Sequence, residues 1–330
     1  TNERIASLSV SPTANALLLV TSVTAEKAQQ TRVPNYVTAT GYTEELTVRT
    51  KVGDAQAGGR VAYMKLPSGD LTWLQVVPAD TTKPPSQATT LGWSDDGSAA
   101  LVFAEARNYK TRYIHKVDAA SGKLQTLDVL EDSAWVGGPC YGCGGWYDGG
   151  KRVWFVSEAD GYAHLYTMDA SGGDRRQLTS GKWEVTAARL SADKRSFEIH
   201  TSEASPFEQH FYRVPVTGGA RERITTRVGG HNVTVSPDGT MLADVWSASN
   251  RPPELYVMPY RAGAPMTQLT TSPTADWLAF RWIVPEIVMV PASDGVPVPA
   301  RIYRPKDLGA QPNGAGVVFA GRGAPPVAAG

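Results

Sequence analysis

The sequence predicts an all-β protein, a partial β-propeller of about five four-stranded blades. Three observations lead to this prediction. A hairpin pattern recurs five times along the 330 residues, and internal repeats of this length are typical of propellers. Glycine and proline are frequent, with 32 and 23 residues, as expected where many short strands meet tight turns. No stretch shows a sustained helical period.

The first hairpin of each repeat joins two apolar strands through a turn of Ser, Asp and Gly residues. These hairpins are Leu8–Leu19, Leu91–Phe103, Gly145–Val156, Arg189–Ile199 and Val233–Ala243. Their turns begin at residues 11, 94, 147, 191 and 236, so the last three spacings are 53, 44 and 45 residues. Such spacings match one blade each. The first spacing, 83 residues, indicates either one blade with a long insertion or two blades, one of them degenerate.

A second hairpin follows each of the first ones. The second hairpins are Tyr63–Leu71, Ile114–Leu124, Leu165–Asp174, Tyr212–Gly219 and Leu255–Gly263. A sheet of four such strands cannot bury both faces alone, so blades stack in a ring. Because five blades are few and Leu8 already lies inside a repeat, we expect a ring that is open at its N-terminal end.

Composition excludes several classes of protein. Lysine plus arginine and aspartate plus glutamate both number 32, whereas nucleic-acid-binding proteins usually carry a basic excess. No run of 18 apolar residues exists, so no membrane span is predicted. The apolar segment Ala16–Val20 has the length of a strand and lacks the basic flank of a signal peptide. No motif calls for a cofactor.

The two cysteines, Cys140 and Cys143, leave three interpretations open. They could lie in a structural loop with free or bridged thiols, form a disulfide in an oxidising compartment, or take part in metal or redox chemistry. Zinc would need two further ligands, and none is grouped nearby. A thioredoxin-type motif would need a helix directly after it, whereas Gly144–Gly145 and a predicted strand follow.

We find no catalytic or metal-binding constellation. The best match to the G-x-S-x-G nucleophile motif is Gly92–Gly97, which has Asp96 in place of the final glycine and lies on a blade hairpin without a following helix. The five histidines lie at residues 115, 164, 200, 210 and 231, and none has metal-ligand spacing. In His164 we expect a hydrogen-bonded structural residue. The sequence therefore predicts no triad and no metal site.

Two segments, one following the other along the chain, carry a specific resemblance. Phe155–Tyr166 followed by Arg176–Val185 resembles the late propeller blades of dipeptidyl peptidase IV and its bacterial relatives. Val235–Gly239 with Ser249–Tyr256, and Arg49–Gly53, are similar to the same family. The resemblance implies an eight-bladed propeller that limits access to an α/β-hydrolase domain, which carries the catalytic Ser, Asp and His.

The resemblance also implies where the substrate's free amine is bound. In the family, a glutamate pair on the propeller holds this amine, and by the position of Ser7–Pro12 the pair is expected upstream of Thr1. Glu44 and Glu45 come after that turn, so we interpret them as a solvated pair in the long insertion.

The C-terminal segment resembles the opening of the hydrolase domain. Glu286–Pro305 looks like its first hairpin and Gly316–Phe319 like its next core strand, whereas Ala320–Gly330 departs from the His-Gly pattern that the family has next. We therefore predict two domains, a propeller at residues 1–282 that is incomplete at its N-terminal end, and truncated opening strands of the hydrolase domain at residues 283–330.

The loop Trp135–Trp146 is the candidate substrate contact. Related propellers place a substrate-facing loop here with an arginine that reaches the substrate, but this loop has no arginine. Trp135 and Tyr141 could line an apolar subsite. The alternative is that they pack between blades, as aromatic residues commonly do.

These observations predict the substrate-gating propeller of a serine exopeptidase that releases N-terminal dipeptides, with Pro or Ala preference. The chain itself is expected to be inactive. By resemblance we expect a peptide substrate, a periplasmic or secreted location and a homodimer in the full-length enzyme. The alternatives are a non-enzymatic periplasmic binding scaffold and a gene remnant without function. A scaffold would have no reason to carry the hydrolase-like segment at Ser293–Arg301.

Overall fold

A computed structural model describes residues 3–25, 29–48, 50–51, 53–78 and 85–319. Within these residues the chain is almost entirely β-sheet, with five four-stranded antiparallel sheets and two separate two-stranded hairpins. Each four-stranded sheet contains one of the predicted first hairpins followed by the corresponding second hairpin. The predicted blades are thereby confirmed in number and in position.

The strands of the blades are as follows. Blade 1 contains β1 (Glu3–Val10), β2 (Ala16–Val23), β5 (Gly58–Lys65) and β6 (Leu71–Leu74). Blade 2 contains β7 (Gln87–Trp93), β8 (Ala99–Glu105), β9 (Thr111–Asp118) and β10 (Leu124–Glu131). Blade 3 contains β11 (Gly144–Tyr147), β12 (Arg152–Ser157), β13 (His164–Asp169) and β14 (Arg176–Gln177), with a 3-10 turn at Asp148–Gly150. Blade 4 contains β15 (Val185–Leu190), β16 (Ser196–Thr201), β17 (His210–Pro215) and β18 (Glu222–Arg223). Blade 5 contains β19 (Gly230–Val235), β20 (Met241–Ala248), β21 (Arg251–Pro259) and β22 (Thr267–Gln268).

Blade 1 carries the long insertion that accounts for the 83-residue spacing. Strand β2 pairs directly with β5, and the intervening segment forms its own hairpin of β3 (Arg32–Asn35) and β4 (Glu44–Thr47). Both glutamates of β4 are exposed, and Glu45 forms an ion pair with Arg32 at 2.8 Å. Glu44 and Glu45 are therefore solvated, as expected. Two residues of the family-like segment 49–53, residues 49 and 52, lie outside the described residues.

The first-hairpin turns of blades 2, 4 and 5 share one hydrogen-bond pattern. In blade 2, Ser94 donates its hydroxyl to Asp96 Oδ1 at 2.6 Å, and the backbone N–H of Ser98 donates to the same oxygen at 3.0 Å. The Ser94 bond, followed by those from Ser98, lowers the pKa of Asp96 to about 2. Ser191–Asp193 and Ser236–Asp238 repeat the hydroxyl contact at 2.7 and 2.6 Å. The Ser-x-Asp pattern thus closes the turn with a carboxylate.

The chain divides into two compact units, residues 1–159 with 166–176, and residues 160–165 with 177–330. The core of the first unit contains all seven residues of β8, which are buried, because a central blade strand packs on both faces. The second unit has a core around Phe211, Ile224, Leu242 and Met258. The predicted boundary at residues 282 and 283 stays a prediction.

The C-terminal segment contains one short helix, α1 (Ala275–Ala279), the hairpin of β23 (Glu286–Pro291) and β24 (Pro297–Ile302), and a 3-10 turn at Pro305–Leu308. The predicted hairpin is therefore present. The strand predicted at Gly316–Phe319 is wrong, because these residues pair with no described strand and Val317, Val318 and Phe319 are more than 90% exposed. Residues 320–330 lie outside the described residues. Across the described residues, no helix combines the length and apolarity that crossing a membrane requires.

Candidate functional site

The candidate substrate-facing loop is anchored at its start by backbone hydrogen bonds. Asp132 Oδ1 accepts the N–H groups of Ala134 and Trp135 at 2.7 and 3.0 Å. The N–H of Val136 donates to the carbonyl of Tyr109 at 2.8 Å. These bonds hold Trp135 at the surface, where 51% of the residue is exposed. Trp135 therefore presents aromatic surface from a fixed backbone.

The two cysteines lie in the same loop and form a disulfide. The N–H of Cys143 donates to the carbonyl of Cys140 at 3.0 Å, and the carbonyl of Cys143 accepts the N–H of Val156 on β12 at 3.2 Å. The small loop is thus attached to blade 3. Of the three interpretations, the disulfide is the one that the structure contains, and no cluster of metal-ligating side chains is found among the described residues.

Tyr141 points inward from this loop. Its ring packs edge-on against Phe103 with centroids 5.1 Å apart. Its hydroxyl oxygen is buried and has no hydrogen-bond partner of acceptable geometry among the described residues. Burial raises the pKa of Tyr141 above its usual value, and the neighbouring carboxylate of Glu105 acts in the same direction. The structure therefore separates the two candidates: Trp135 is exposed, whereas the hydroxyl of Tyr141 is buried. Their contact with a substrate stays a prediction.

A buried arginine lies in the same unit, although the loop itself has none. The Arg112 guanidinium donates to Asp128 at 2.7 Å and to Ser157 at 3.0 Å, and its side chain is 2% exposed. Burial is the main influence on Arg112 and lowers its pKa, against the raising effect of Asp128. Arg112 is therefore held in a structural ion pair and is not a free cation.

Arg175 is the second arginine on Asp128, at 3.1 Å, and its side chain is 39% exposed. Its guanidinium carbon lies 4.4 Å from the ring centre of Tyr166 and 5.7 Å from that of Phe155. Such stacking fixes the direction of a cation. Sequence reasoning missed this cluster, since its members come from four separate segments; an arginine in β9 and an aspartate in the neighbouring strand β10 were the signal.

The second unit contains a groove of about 790 Å³. Its walls are aromatic, formed by Phe207, Trp246, Trp277 and Trp282. No local sequence pattern indicates this groove, because its lining comes from segments that are distant along the chain. The aromatic walls suit apolar side chains.

Three arginines line this groove, Arg227, Arg251 and Arg301, and two of them stack on its aromatic walls. Arg227 stacks on Trp246 with its guanidinium carbon 3.5 Å from the ring centre, and Arg301 stacks on Phe207 at 4.7 Å. Neither has a carboxylate partner among the residues for which the structure gives coordinates. The groove therefore combines apolar walls with positive charge.

The histidines are parts of hydrogen-bonded networks. His164 contacts Thr179 Oγ1 at 3.1 Å and the carbonyl of Gly181 at 2.9 Å, which confirms the expected structural role. His231 is buried between Asp244 Oδ2 at 2.6 Å and the carbonyl of Arg227 at 2.7 Å. Both ring nitrogens of His231 thus face hydrogen-bond acceptors.

Five blades of antiparallel sheet define the chain as a β-propeller. Residues 6–253 match the family described as the dipeptidyl peptidase IV N-terminal region. Because this match covers most of the chain, the chain belongs to that family, and the resemblance inferred from the motifs is confirmed.

The chain is similar to two proteins described as probable dipeptidyl peptidase 4. The protein from Emericella nidulans is 31% identical over 116 residues, which cover 34% of this chain and 14% of that protein. The protein from Aspergillus clavatus is 26% identical over 253 residues, which cover 70% of this chain and 30% of that protein. The crystal structure of Porphyromonas gingivalis dipeptidyl peptidase 4 superposes with a TM-score of 0.68 at 21% identity, over 89% of this chain and 41% of that chain. This chain thus spans less than half of each.

Proposed function

We propose that the chain is the substrate-gating propeller of a serine exopeptidase that releases N-terminal dipeptides, with preference for Pro or Ala. The observation that carries the proposal is the family match over residues 6–253, together with the five blades in which these residues fold. In this proposal the propeller admits and orients the peptide, and hydrolysis takes place on a separate domain with Ser, Asp and His.

We further propose that residues 1–330 alone do not hydrolyse peptides. Ser94, in the nearest match to a nucleophile motif, is 1% exposed and donates to Asp96 at 2.6 Å. It lies in a blade turn, where its hydroxyl contacts Asp96, Ser98 and the N–H of Ala99, and no histidine is among these partners. A serine nucleophile needs both an adjacent base and an accessible oxygen.

The test for inactivity uses Gly-Pro and Ala-Pro chromogenic substrates with the purified chain. We expect no release above the rate without protein. Turnover that a fluorophosphonate inhibitor abolishes would contradict the proposal, because it would require a reactive serine in this chain.

The test for substrate docking is a calorimetric titration with a decapeptide that begins with Ala-Pro. We expect weak binding by the chain and about tenfold weaker binding by Trp135→Ala, in line with the loss of an aromatic anchor. Trp73→Ala is the matched control, since Trp73 is similarly exposed (41%) in the same unit but lies on the edge strand β6. Equal effects of both substitutions would contradict a role for the candidate loop.

We also propose a periplasmic or secreted location. The Cys140–Cys143 disulfide supports it, because disulfides persist in oxidising compartments. Fractionation of the source cells followed by blotting tests this location, and recovery of the chain with cytosolic markers would contradict it.

A further inference from the structure

We propose that the Cys140–Cys143 disulfide is a thiol-exchange site that clamps Tyr141 with its hydroxyl oxygen buried. Reduction by a dithiol, such as dithiothreitol or the active site of a dithiol oxidoreductase, opens the clamp. Residues 137–144, which we call the clamp loop, then become mobile and release the Tyr141 side chain. This inference goes beyond the proposed function and does not depend on any catalytic assignment.

The covalent bond encloses only two residues, Tyr141 and Gly142. The backbone of Tyr141 is therefore part of a small closed ring, which restricts where its side chain can point. Gly142 has a φ of +82°, a conformation that glycine adopts without strain. Opening the ring returns conformational freedom to these residues.

The position of Tyr141 is one that an unconstrained loop would have reason to leave. The ring contact with Phe103 is favourable, but the hydroxyl oxygen is buried without a partner of acceptable geometry. A buried polar group without a hydrogen bond is costly. The carboxylate of Glu105 influences this hydroxyl, but it accepts the hydroxyl of Ser86 and makes no hydrogen bond of acceptable geometry with Tyr141. Release of the side chain would return the hydroxyl to water.

The rest of the clamp loop has little to hold it. Gly138 and Pro139 are exposed. Gly138 has a φ of +107° and approaches Glu158 so closely that a β-carbon would lie 2.7 Å from Oε1. Among the described residues 137–143, the backbone hydrogen bonds run from the N–H of Cys143 to the carbonyl of Cys140 and from the N–H of Val156 to the carbonyl of Cys143. The disulfide is thus the covalent constraint on this segment.

The exchange reaction is accessible from one side. Cys140 is buried (3% exposed), whereas Cys143 is partly exposed. A dithiol thiolate attacks the sulfur of Cys143, the disulfide breaks, and Cys140 leaves as a thiolate that takes up a proton. The second thiol of the reductant then attacks the mixed disulfide, so Cys143 is released as a thiol and the reductant becomes a cyclic disulfide.

Hydrogen exchange followed by mass spectrometry tests the proposal on the folded chain. With the disulfide intact and then with dithiothreitol, amide exchange is compared for peptides covering residues 137–144 and for peptides of the second unit. We expect exchange in the clamp loop to become about tenfold faster or more on reduction, with no change in the second unit. Iodoacetamide labelling without denaturant should mark both cysteines only after reduction.

Two variants make the result specific. Cys140→Ser with Cys143→Ser should show the fast clamp-loop exchange without a reductant and no response to it. Tyr141→Phe keeps the disulfide and should keep slow exchange until it is reduced. If the native disulfide resists dithiothreitol until the chain unfolds, or if reduction leaves clamp-loop exchange unchanged, the proposal is wrong. These readouts need no substrate, so their failure is distinguishable from failure of the proposed function.

Discussion

Two tyrosines of the first unit have buried hydroxyl groups. They show how a hydrogen bond to the hydroxyl changes the contribution of an aromatic residue to stability. Tyr63 is 4% exposed, and its hydroxyl donates to the carbonyl of Ala119 at 2.8 Å. Tyr141 also has a buried hydroxyl oxygen, but that atom has no such partner in the described part of the chain. Both rings contribute apolar burial, whereas only Tyr63 recovers the hydrogen bond that its hydroxyl loses from water.

The first prediction compares the two hydroxyls. Tyr141→Phe should raise the free energy of unfolding by about 1 kcal/mol, because it removes a buried polar atom without a partner. Tyr63→Phe should lower it by about 1 kcal/mol, because it leaves the Ala119 carbonyl without its donor. Urea unfolding of both variants measures the difference. Equal signs for the two substitutions would show that the Tyr141 hydroxyl is satisfied in solution.

The second prediction concerns the ion pair of Arg112 and Asp128. Arg112→Met should cost about 3–5 kcal/mol of unfolding free energy, because Asp128 would remain buried with only Arg175 to balance its charge. The control is Arg32→Met, which removes an exposed ion pair to Glu45 with side chains 72% and 63% exposed. We expect the control to cost under about 1 kcal/mol. Similar losses in urea unfolding would contradict the burial argument.

At the scale of the element, two glycines of the second unit are required for different reasons. One is required for its backbone conformation, and the other because a β-carbon would not fit. Gly239 has a φ of +68° and open space where a β-carbon would lie. Gly229 has a φ of +136°, and a β-carbon there would lie 2.2 Å from the carbonyl oxygen of Ser247. Both belong to the second unit, Gly229 directly before β19 and Gly239 in the turn between β19 and β20, so they form a matched pair.

The third prediction uses this pair. Gly239→Ala should cost about 1 kcal/mol, the usual penalty for a left-handed residue with a side chain. Gly229→Ala should cost several times more, on the order of 3 kcal/mol or beyond, because the backbone of β20 has to move as well. Thermal unfolding followed by circular dichroism measures both. A Gly229→Ala variant as stable as Gly239→Ala would mean that the loop before β19 adapts freely.

At the scale of the whole molecule, the net charge is zero, but several titratable groups are buried and have shifted pKa values. His200 is mostly buried, and its Nε2 accepts the N–H of Val233 at 3.3 Å. Burial is the main cause that lowers the pKa of His200 to about 4, and Arg189 acts in the same direction while Asp244 opposes it. Burial also lowers the pKa of His210. These imidazoles are neutral in the folded chain at neutral pH.

The fourth prediction is that stability falls as the pH is lowered. Above about pH 6.5, the usual pKa of histidine, His200 is neutral in both states and contributes no pH dependence. Between about pH 6.5 and 4 the unfolded chain binds a proton that the folded chain does not, so the free energy of unfolding decreases. The loss from His200 approaches about 3 kcal/mol near pH 4.

Urea midpoints between pH 4 and 7.5 measure this effect, and His200→Gln should flatten the profile. Carboxylates whose pKa values are lowered in the turns, such as Asp96 and Asp238, lose their contribution only as the pH falls further. The two effects therefore occupy different pH ranges. An urea midpoint that does not change between pH 7 and 4.5 would contradict the assignment of His200.

Local chemistry made much of the fold predictable. Turns such as Ser236–Gly239 close on themselves through a side chain two residues away. Together with the alternation of apolar residues, such local signals locate hairpins without knowledge of the tertiary structure. The strand expected at Gly316–Phe319 failed for the opposite reason. Its apolar residues suit a strand, but a strand also needs a neighbouring strand to accept its hydrogen bonds, and sequence pattern does not supply one.

By itself, the sequence determined the blades, their order and the family, because alternation of apolar residues and turn chemistry act over a few residues. The tertiary structure alone decided that the first long spacing is an insertion and that Cys140 and Cys143 are joined. It also decided that Trp135 is exposed whereas the hydroxyl of Tyr141 is buried. It decided as well that Arg227 and Arg301 of the groove stack on aromatic rings. These outcomes depend on which distant segments meet, and a contact between distant segments leaves no local pattern in the sequence.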